Sequence, residues 1–305
     1  MKLLSTLGLV TIAFAMNSAV QAKEWCTETL HNDWRQTFRV DKMLYEEKTE
    51  HQDLAIFYNK TFGNVLVLDG VIQVTEKDEY VYHEMMTHVP LLAHGNARNV
   101  LIIGGGDFGI AREVLKHNTV ERVVLCEIDG SVVTFSKKHL GSIAQGAYND
   151  PRLDVIIEDG CTFVKETDEL FDVIICDSTD PIGPGAVLFT PEFYSDCHDI
   201  LTPGGIFVNQ NGVPFLQREE LQSTYNSRLL SFQDVGFYLS VIPTYVGGFM
   251  AMGWASDDIS NREVPLEVLE DRFQNISGEL KYYTPALHKA AFVLPKFIQD
   301  ALTES

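Results

Sequence analysis

Val100-Leu101-Ile102-Ile103-Gly104-Gly105-Gly106-Asp107-Phe108-Gly109 carries a short apolar run straight into a glycine-rich turn. An unbroken apolar run rich in β-branched residues fits a strand buried on both faces, as parallel sheets require. The turn leads into residues 110–117, which have a helical pattern. There Ala111, Val114 and Leu115 are expected inward, and Arg112, Glu113 and Lys116 outward. Further apolar runs follow at 123–128, 153–157, 171–176 and 206–209, spaced widely enough for crossover helices. The pattern predicts an α/β fold with a doubly wound, Rossmann-like sheet. Residues 237–242 and 249–254 are expected to form an antiparallel pair at one sheet edge.

Upstream the periodicity is different. Short strand-like stretches occur at 37–40, 54–58, 65–68 and 71–74, and Asp69-Gly70 between the last two is a strong hairpin signal. A small N-terminal antiparallel β-domain is expected there. Residues 78–89 read as a helix, closed by Pro90 and Gly95. The expected organisation is therefore 23–95 for the β-domain plus helix and 96–305 for the Rossmann-like domain. Residues 1–22 stand apart. Lys2, an apolar run over 3–16 and the ending Ala19-Val20-Gln21-Ala22 have the layout of a signal peptide. The run is too short for a transmembrane span, and no membrane association is expected of the mature chain.

The chain has 305 residues and a formal net charge of −20. That charge argues against nucleic acid as a partner, since phosphates need a basic face. It suits a cationic substrate as well as plain solubility. The five cysteines have neither CxxC spacing nor a zinc-type pairing with histidine. Cys126 and Cys176 fall within apolar runs and read as small buried hydrophobes. No metal site is expected.

The chemistry-bearing residues cluster at the expected carboxyl ends of the strands. Glycines in the 104–109 turn let a ligand approach the backbone. Glu127 ends the next strand, where an acidic residue accepts hydrogen bonds from both ribose hydroxyls of a nucleoside. Asp107 within the turn would repel a pyrophosphate but suits a ligand carrying a sulfonium or an amine. Asp159-Gly160 follows the third strand and can meet an adenine amino group; an ordinary turn is the bland reading. Asp177 and Asp180 follow the fourth strand, ahead of a loop stiffened by Pro181, Gly183 and Pro184.

Together with Tyr82-His83-Glu84, His51-Gln52-Asp53, Gln210-Asn211-Gly212 and Pro243-Thr244-Tyr245, these motifs resemble the bacterial polyamine aminopropyltransferases, the spermidine synthases. The resemblance runs from about Trp25 to Leu302. It implies that Glu127 holds the ribose and Asp159 with Gly160 the adenine of decarboxylated S-adenosylmethionine. Gln52 and Pro184 would line the same pocket, and Asp107 would bind the amine of the aminopropyl arm. Asp177 would be the catalytic proton acceptor. Asp180, His83, Tyr82, Gln210 and Tyr245 would frame the channel of a diamine, by family habit putrescine. The nucleoside is then a co-substrate and no cofactor is expected. The resemblance also implies a homodimer or homotetramer assembled through the β-domains.

Three points stay open at this level. Phe108 stands where the family commonly has glycine, and a large side chain there would crowd the methionine-derived arm or tilt the helix start. An S-adenosylmethionine-dependent methyltransferase shares the fold, though Asp107 is poorly suited to a substrate carboxylate. A non-catalytic polyamine- or nucleoside-binding homologue is the other alternative. Residues 1–22 speak for export, whereas the co-substrate is made in the cytosol and an odd thiol count suits a reducing compartment. The expected location is cytoplasmic, with export as the alternative.

Overall fold

The computed structural model describes residues 24–181 and 183–303. The signal-like segment 1–22 lies outside the described residues. The N-terminal strands are β1 (Trp25–Thr27), β2 (Thr37–Arg39), β3 (Lys42–Lys48), β4 (Asp53–Asn59), β5 (Gly63–Leu68) and β6 (Val71–Thr75). β1 and β2 form a small ribbon, and β3 to β6 form a four-stranded antiparallel meander. Asp69 and Gly70 both take positive φ, 49° and 79°, as the tight turn joining two right-twisted strands demands.

Alternation along these strands gives the meander two apolar faces. Leu54, Ile56, Leu66 and Val74 pack against Phe135 and Ile143 from α3 (Gly130–His139) and α4 (Gly141–Ala144), numbered after α1 (Glu79–His94) and α2 (Gly109–Val114). Phe57, Val65, Val67 and Ile72 pack under Phe38 of β2.

Seven strands make the central sheet: β7 (Asn99–Gly104), β8 (Arg122–Glu127), β9 (Leu153–Ile157), β10 (Phe171–Asp177), β11 (Leu201–Gln210), β12 (Asp234–Ser240) and β13 (Met250–Ser256). Their spatial order is β12-β13-β11-β10-β7-β8-β9. β7 to β11 run parallel, and β12 and β13 close one edge antiparallel, as the sequence predicts. Alternate residues of β7 serve opposite cores. Val100 and Ile102 face the core that contains α1, and Leu101 and Ile103 face the core that contains Phe163, Phe193 and Phe207. Both sheet faces are thus covered, which is why the β7 sequence is apolar throughout. Cys126 and Cys176 are buried in the second core.

Two expectations need correction. Helix α1 does not end at Pro90 but continues to His94, where Gly95 caps it with a φ of 80°. An interior proline costs about 3 kcal/mol. Burying Leu91 and Leu92 in the main core offsets that, at about 1.5–3 kcal/mol each. Helix α2 is shorter than expected, and Arg112 and Glu113 point inward rather than outward, 8% and 1% exposed. They are neutralised there by partners from other segments, described below.

One carboxylate of α1 gathers three backbone groups of the C-terminal segment. Buried Glu84 accepts from the backbone N–H groups of Lys281, Tyr282 and Tyr283 at 2.7, 2.8 and 2.7 Å. Hydrogen bonds to a charged group contribute about 1.5–3 kcal/mol each. Glu84→Ala is expected to lower stability by about 4 kcal/mol, measured by urea unfolding. A loss below 1 kcal/mol would mean that water replaces the carboxylate.

Candidate active site

β7 lies between β8 and β10, so the chain winds outward in opposite directions from the β7/β10 pair. Such a switch point opens a crevice beyond the strand ends. Gly104 and Asp177, the last residues of their strands, are register partners. A Cβ on Gly104 would lie 2.0 Å from the Asp177 carbonyl oxygen, and its φ is 80°. Only glycine lets the two strand ends approach this closely.

A cavity of about 380 Å³ opens at this point. It is lined by Gln52, Asp107, Glu127, Asp159 and Gly160. Tyr82, His83, Asp177, Asp180, Gln210 and Tyr245 line it as well. The fold therefore gathers these sequence-selected residues into one cavity. The expectation for Pro184 falls on a side chain outside what the structure describes.

Each side chain has a local reason for its position. Glu127 accepts from Gly106 N–H at 3.2 Å and Asp129 N–H at 3.0 Å. Burial raises its pKa to about 7, against the lowering effect of those two bonds. Asp129 caps α3 and also accepts from Gln52 Nε2 at 3.1 Å, which ties the β-domain to the start of α3. Asp159 caps α5 (Gly160–Glu166), with Oδ1 accepting from Cys161 N–H at 2.9 Å.

Asp177 Oδ1 accepts from the Tyr82 hydroxyl at 2.7 Å. Burial and the neighbouring Asp107 charge raise the Asp177 pKa to about 6, while His83 and Tyr82 pull it down. Asp180 accepts from Gln217 Nε2 at 2.8 Å, and burial raises its pKa. Gln210 Oε1 accepts from Gly212 N–H at 2.9 Å. The Tyr245 hydroxyl donates to the Gln73 carbonyl oxygen at 2.5 Å, so its proton is already used. Its ring stands edge-on to Tyr82, with centroids 6.0 Å apart.

Phe108 does not crowd the cavity. It is fully buried in the main core, beside Tyr148 with ring centroids 5.5 Å apart. Its backbone is left-handed, φ 68° and ψ 8°. That conformation suits glycine and costs another residue about 1–2 kcal/mol, which the burial of an aromatic ring offsets.

Two groups escaped the sequence reading. Glu28 and Gln217 line the cavity, and Glu28 is only 4% exposed. Glu28 sits in a stretch without periodicity, and no local signal marks it. Buried Glu79, the partner of His83, lies in the first turn of the expected helix, and Arg112, which donates to Glu79, is expected outward by pattern.

A cavity walled by carboxylates at the switch point of a Rossmann-like sheet is where this class of α/β fold binds its ligands, and its charge suits a cationic one. Residues 79–265 match the spermine/spermidine synthase domain, and residues 24–76 match the spermidine synthase tetramerisation domain. Polyamine aminopropyltransferases of Shigella sonnei (strain Ss046) and Escherichia coli O1:K1 / APEC are each 53% identical over 92% of this chain and 98% of theirs. A spermidine synthase crystallised with the transition state analogue AdoDATO superposes with a TM-score of 0.87 at 37% identity, covering 92% of this chain and 96% of that one. The Thermotoga maritima spermidine synthase gives 0.85 at 38% identity, covering 91% and 94%. The chain belongs to the spermine/spermidine synthase family and is an aminopropyltransferase. The methyltransferase alternative is thereby set aside.

Truncating Phe108 should harm the core and spare the cavity. Removing a buried Phe costs about 3–5 kcal/mol, and glycine at a left-handed position regains about 1–2. Phe108→Gly is expected to lose about 2–3 kcal/mol of stability. Methylthioadenosine affinity, by calorimetry, should change by less than about threefold. A tenfold tighter complex would restore the crowding expectation.

Proposed function

We propose that the chain moves the aminopropyl group of decarboxylated S-adenosylmethionine to putrescine, giving spermidine and methylthioadenosine. The observation that carries this reading is Asp177, a carboxylate at the switch point with its proton affinity raised, held by Tyr82 in a cavity shared with Glu127.

Putrescine arrives as a diammonium ion. Freeing one amine at neutral pH costs about 4–5 kcal/mol for a pKa near 10.4. Asp177 accepts that proton, and Tyr82 keeps the carboxylate oriented. The amine lone pair then attacks the methylene carbon attached to sulfur. The carbon–sulfur bond breaks, its electron pair stays on sulfur, and the sulfonium becomes the neutral thioether of methylthioadenosine. A sulfonium is already a good leaving group, so no acid is needed on that side.

Positioning supplies the rest, up to about 7–11 kcal/mol when the two centres are held in line. Glu127 grips the ribose and Asp159 with Gly160 the adenine, with Gln52 and Pro184 beside them. Asp107 binds the ammonium of the aminopropyl arm. Asp180 and Glu28 meet the far ammonium of the diamine, supported by burial of both carboxylates. Gln210 and His83 shape the channel. With its hydroxyl tied to Gln73, Tyr245 offers its ring to a passing cation rather than a new hydrogen bond.

In this reading residues 23–95 and 96–305 are two functional units, bridged by α1, whose Tyr82 and His83 enter the cavity while Met85 and Met86 pack in the main core. The β-domain also carries assembly into a homotetramer. The match of residues 24–76 to a tetramerisation domain supports this, as do the exposed rings of Trp25 and Trp34. The reaction belongs in the cytoplasm, where the co-substrate is made; among the described residues no helix is long and apolar enough to cross a membrane.

Methylthioadenosine release by residues 23–305 with putrescine tests the reaction. Asp177→Asn is expected to reduce kcat by about 10²–10⁴-fold with the nucleoside still bound. Asp177 works only when ionised, so wild-type kcat should fall as pH drops through about 6. Full wild-type inactivity with intact nucleoside binding would point instead to a binding homologue.

A further inference from the structure

A line of alternating charge runs from the cavity into the protein. His83 Nδ1 lies 2.7 Å from Glu79 Oε2, and His83 Nε2 lies 3.3 Å from Asp107 Oδ2. Both ring nitrogens thus face carboxylate oxygens. A neutral imidazole has one N–H and would turn a lone pair on one of them; only the imidazolium donates on both sides.

Glu79 is itself clamped. Arg112 Nη1 donates to Glu79 Oε1 at 3.2 Å and Nη2 to Oε2 at 2.8 Å. The same guanidinium donates from Nε to Glu113 Oε1 at 2.7 Å, and Lys116 Nζ reaches that oxygen at 2.9 Å. Asp107, Glu79, Arg112 and Glu113 are all at least nine-tenths buried, as is His83 at 2% exposure. Four carboxylates (Asp107, Glu79, Glu113 and Asp177) face two fixed cations (Arg112, Lys116), and a proton on His83 offsets one of the two negative charges left over. His88 bonds Glu113 at 2.9 Å and His117 at 2.9 Å, which one neutral tautomer of each ring satisfies.

We propose that Glu79, clamped by Arg112, is a positioning residue that keeps His83 a permanent imidazolium. The imidazolium then stands as a fixed positive charge beside Asp107 and Asp177, and Asp177 accepts the proton of the diamine. The second half of this inference rests on the function proposed above; the charge state of His83 does not.

The groups that face His83 come from four elements: Glu79 and Tyr82 on α1, Asp107 in the glycine turn, Asp177 on β10, and Arg112 on α2 behind Glu79. Burial would lower the pKa of His83, but Asp107 and Glu79 outweigh it and raise it to about 10. His83 and Arg112 in turn hold Glu79 near 2 against its burial. Without the imidazolium, Asp177 would lose the positive charge that pulls its pKa down, and the base would be occupied up to a higher pH when the diamine arrives.

The test is nitrogen-resolved NMR of the histidine side chains in the full-length enzyme, with His83 assigned through His83→Gln. Wild type is expected to show both His83 nitrogens protonated from pH 5.5 to 9. Glu79→Gln should lower the His83 midpoint at least tenfold in proton affinity, into that window. It should also shift the acid limb of kcat upward to the extent that His83 is neutral there, leaving nucleoside KM within about threefold. A neutral His83 in wild type at pH 8 would overturn the proposal, whatever the variant does. So would an unshifted midpoint in Glu79→Gln. Should that variant fail to fold, the wild-type spectrum and Arg112→Lys decide, the latter expected to lower the midpoint less. A charged His83 in an enzyme without turnover would sink the proposed function and leave the charge assignment standing.

Discussion

The pairing of Gly104 with Asp177 at the end of two parallel strands is the constraint on which the site depends. It fixes the nucleoside turn and the proposed base in one register. Any side chain at Gly104 would collide with the backbone of the strand that presents the base. The glycine turn, Glu127 and Asp159 follow from the same sheet, because neighbouring parallel strands end at the same level. The site is therefore precise for the reason the sheet is: a one-residue slip would reverse every β7 side chain between the two cores.

That precision is built with buried charge. An isolated buried ion costs several kcal/mol, and pairing repays this only when hydrogen bonds are nearly complete. The line from Asp107 through His83, Glu79 and Arg112 to Glu113 meets that condition, since each member has partners on two sides. An apolar packing would be as stable by such accounting. The ionic version supplies what an apolar one cannot, a fixed electric charge next to the cavity. Its two carboxyl-bearing segments also pin α1 to α2, so the charge and the helix that carries Tyr82 move as one body.

How legible this was depended on where each residue's partners lie in the sequence. The glycine turn, Glu127, Asp159, Asp177 and Asp180 could be found because each follows a readable apolar run. Position after a strand is itself the functional signal in this fold. Arg112 and Glu113 were misread because helical periodicity assigns charged residues to solvent. Their burial is decided by Glu79, 33 residues from Arg112, and by His88, 25 residues from Glu113. Helix α1 overran Pro90 for a related reason, since the core awaiting Leu91 and Leu92 is invisible to local pattern. Glu28 had no pattern at all; the ribbon that carries it is ordered by contacts with Gln36 and with Ile72 of β6.

The charge of the cavity also bears on the direction of the chemistry. In the proposed reaction decarboxylated S-adenosylmethionine brings a sulfonium and an ammonium, and putrescine brings two ammonium groups. Glu28, Asp107, Asp177 and Asp180 provide four carboxylates along the path those cations would occupy. Transfer removes the sulfonium charge from the nucleoside, so methylthioadenosine leaves neutral while the cationic groups stay with the polyamine. The carboxylates that draw in the charged nucleoside have no hold on its neutral remnant beyond ribose and adenine contacts. A site built to stabilise a cationic ground state would bind substrate and transition state alike and gain nothing in rate. The gain comes from the one carboxylate whose charge changes during the reaction. For that reason a fixed imidazolium near Asp177 matters more than the total negative charge: it settles which carboxylate is free to change.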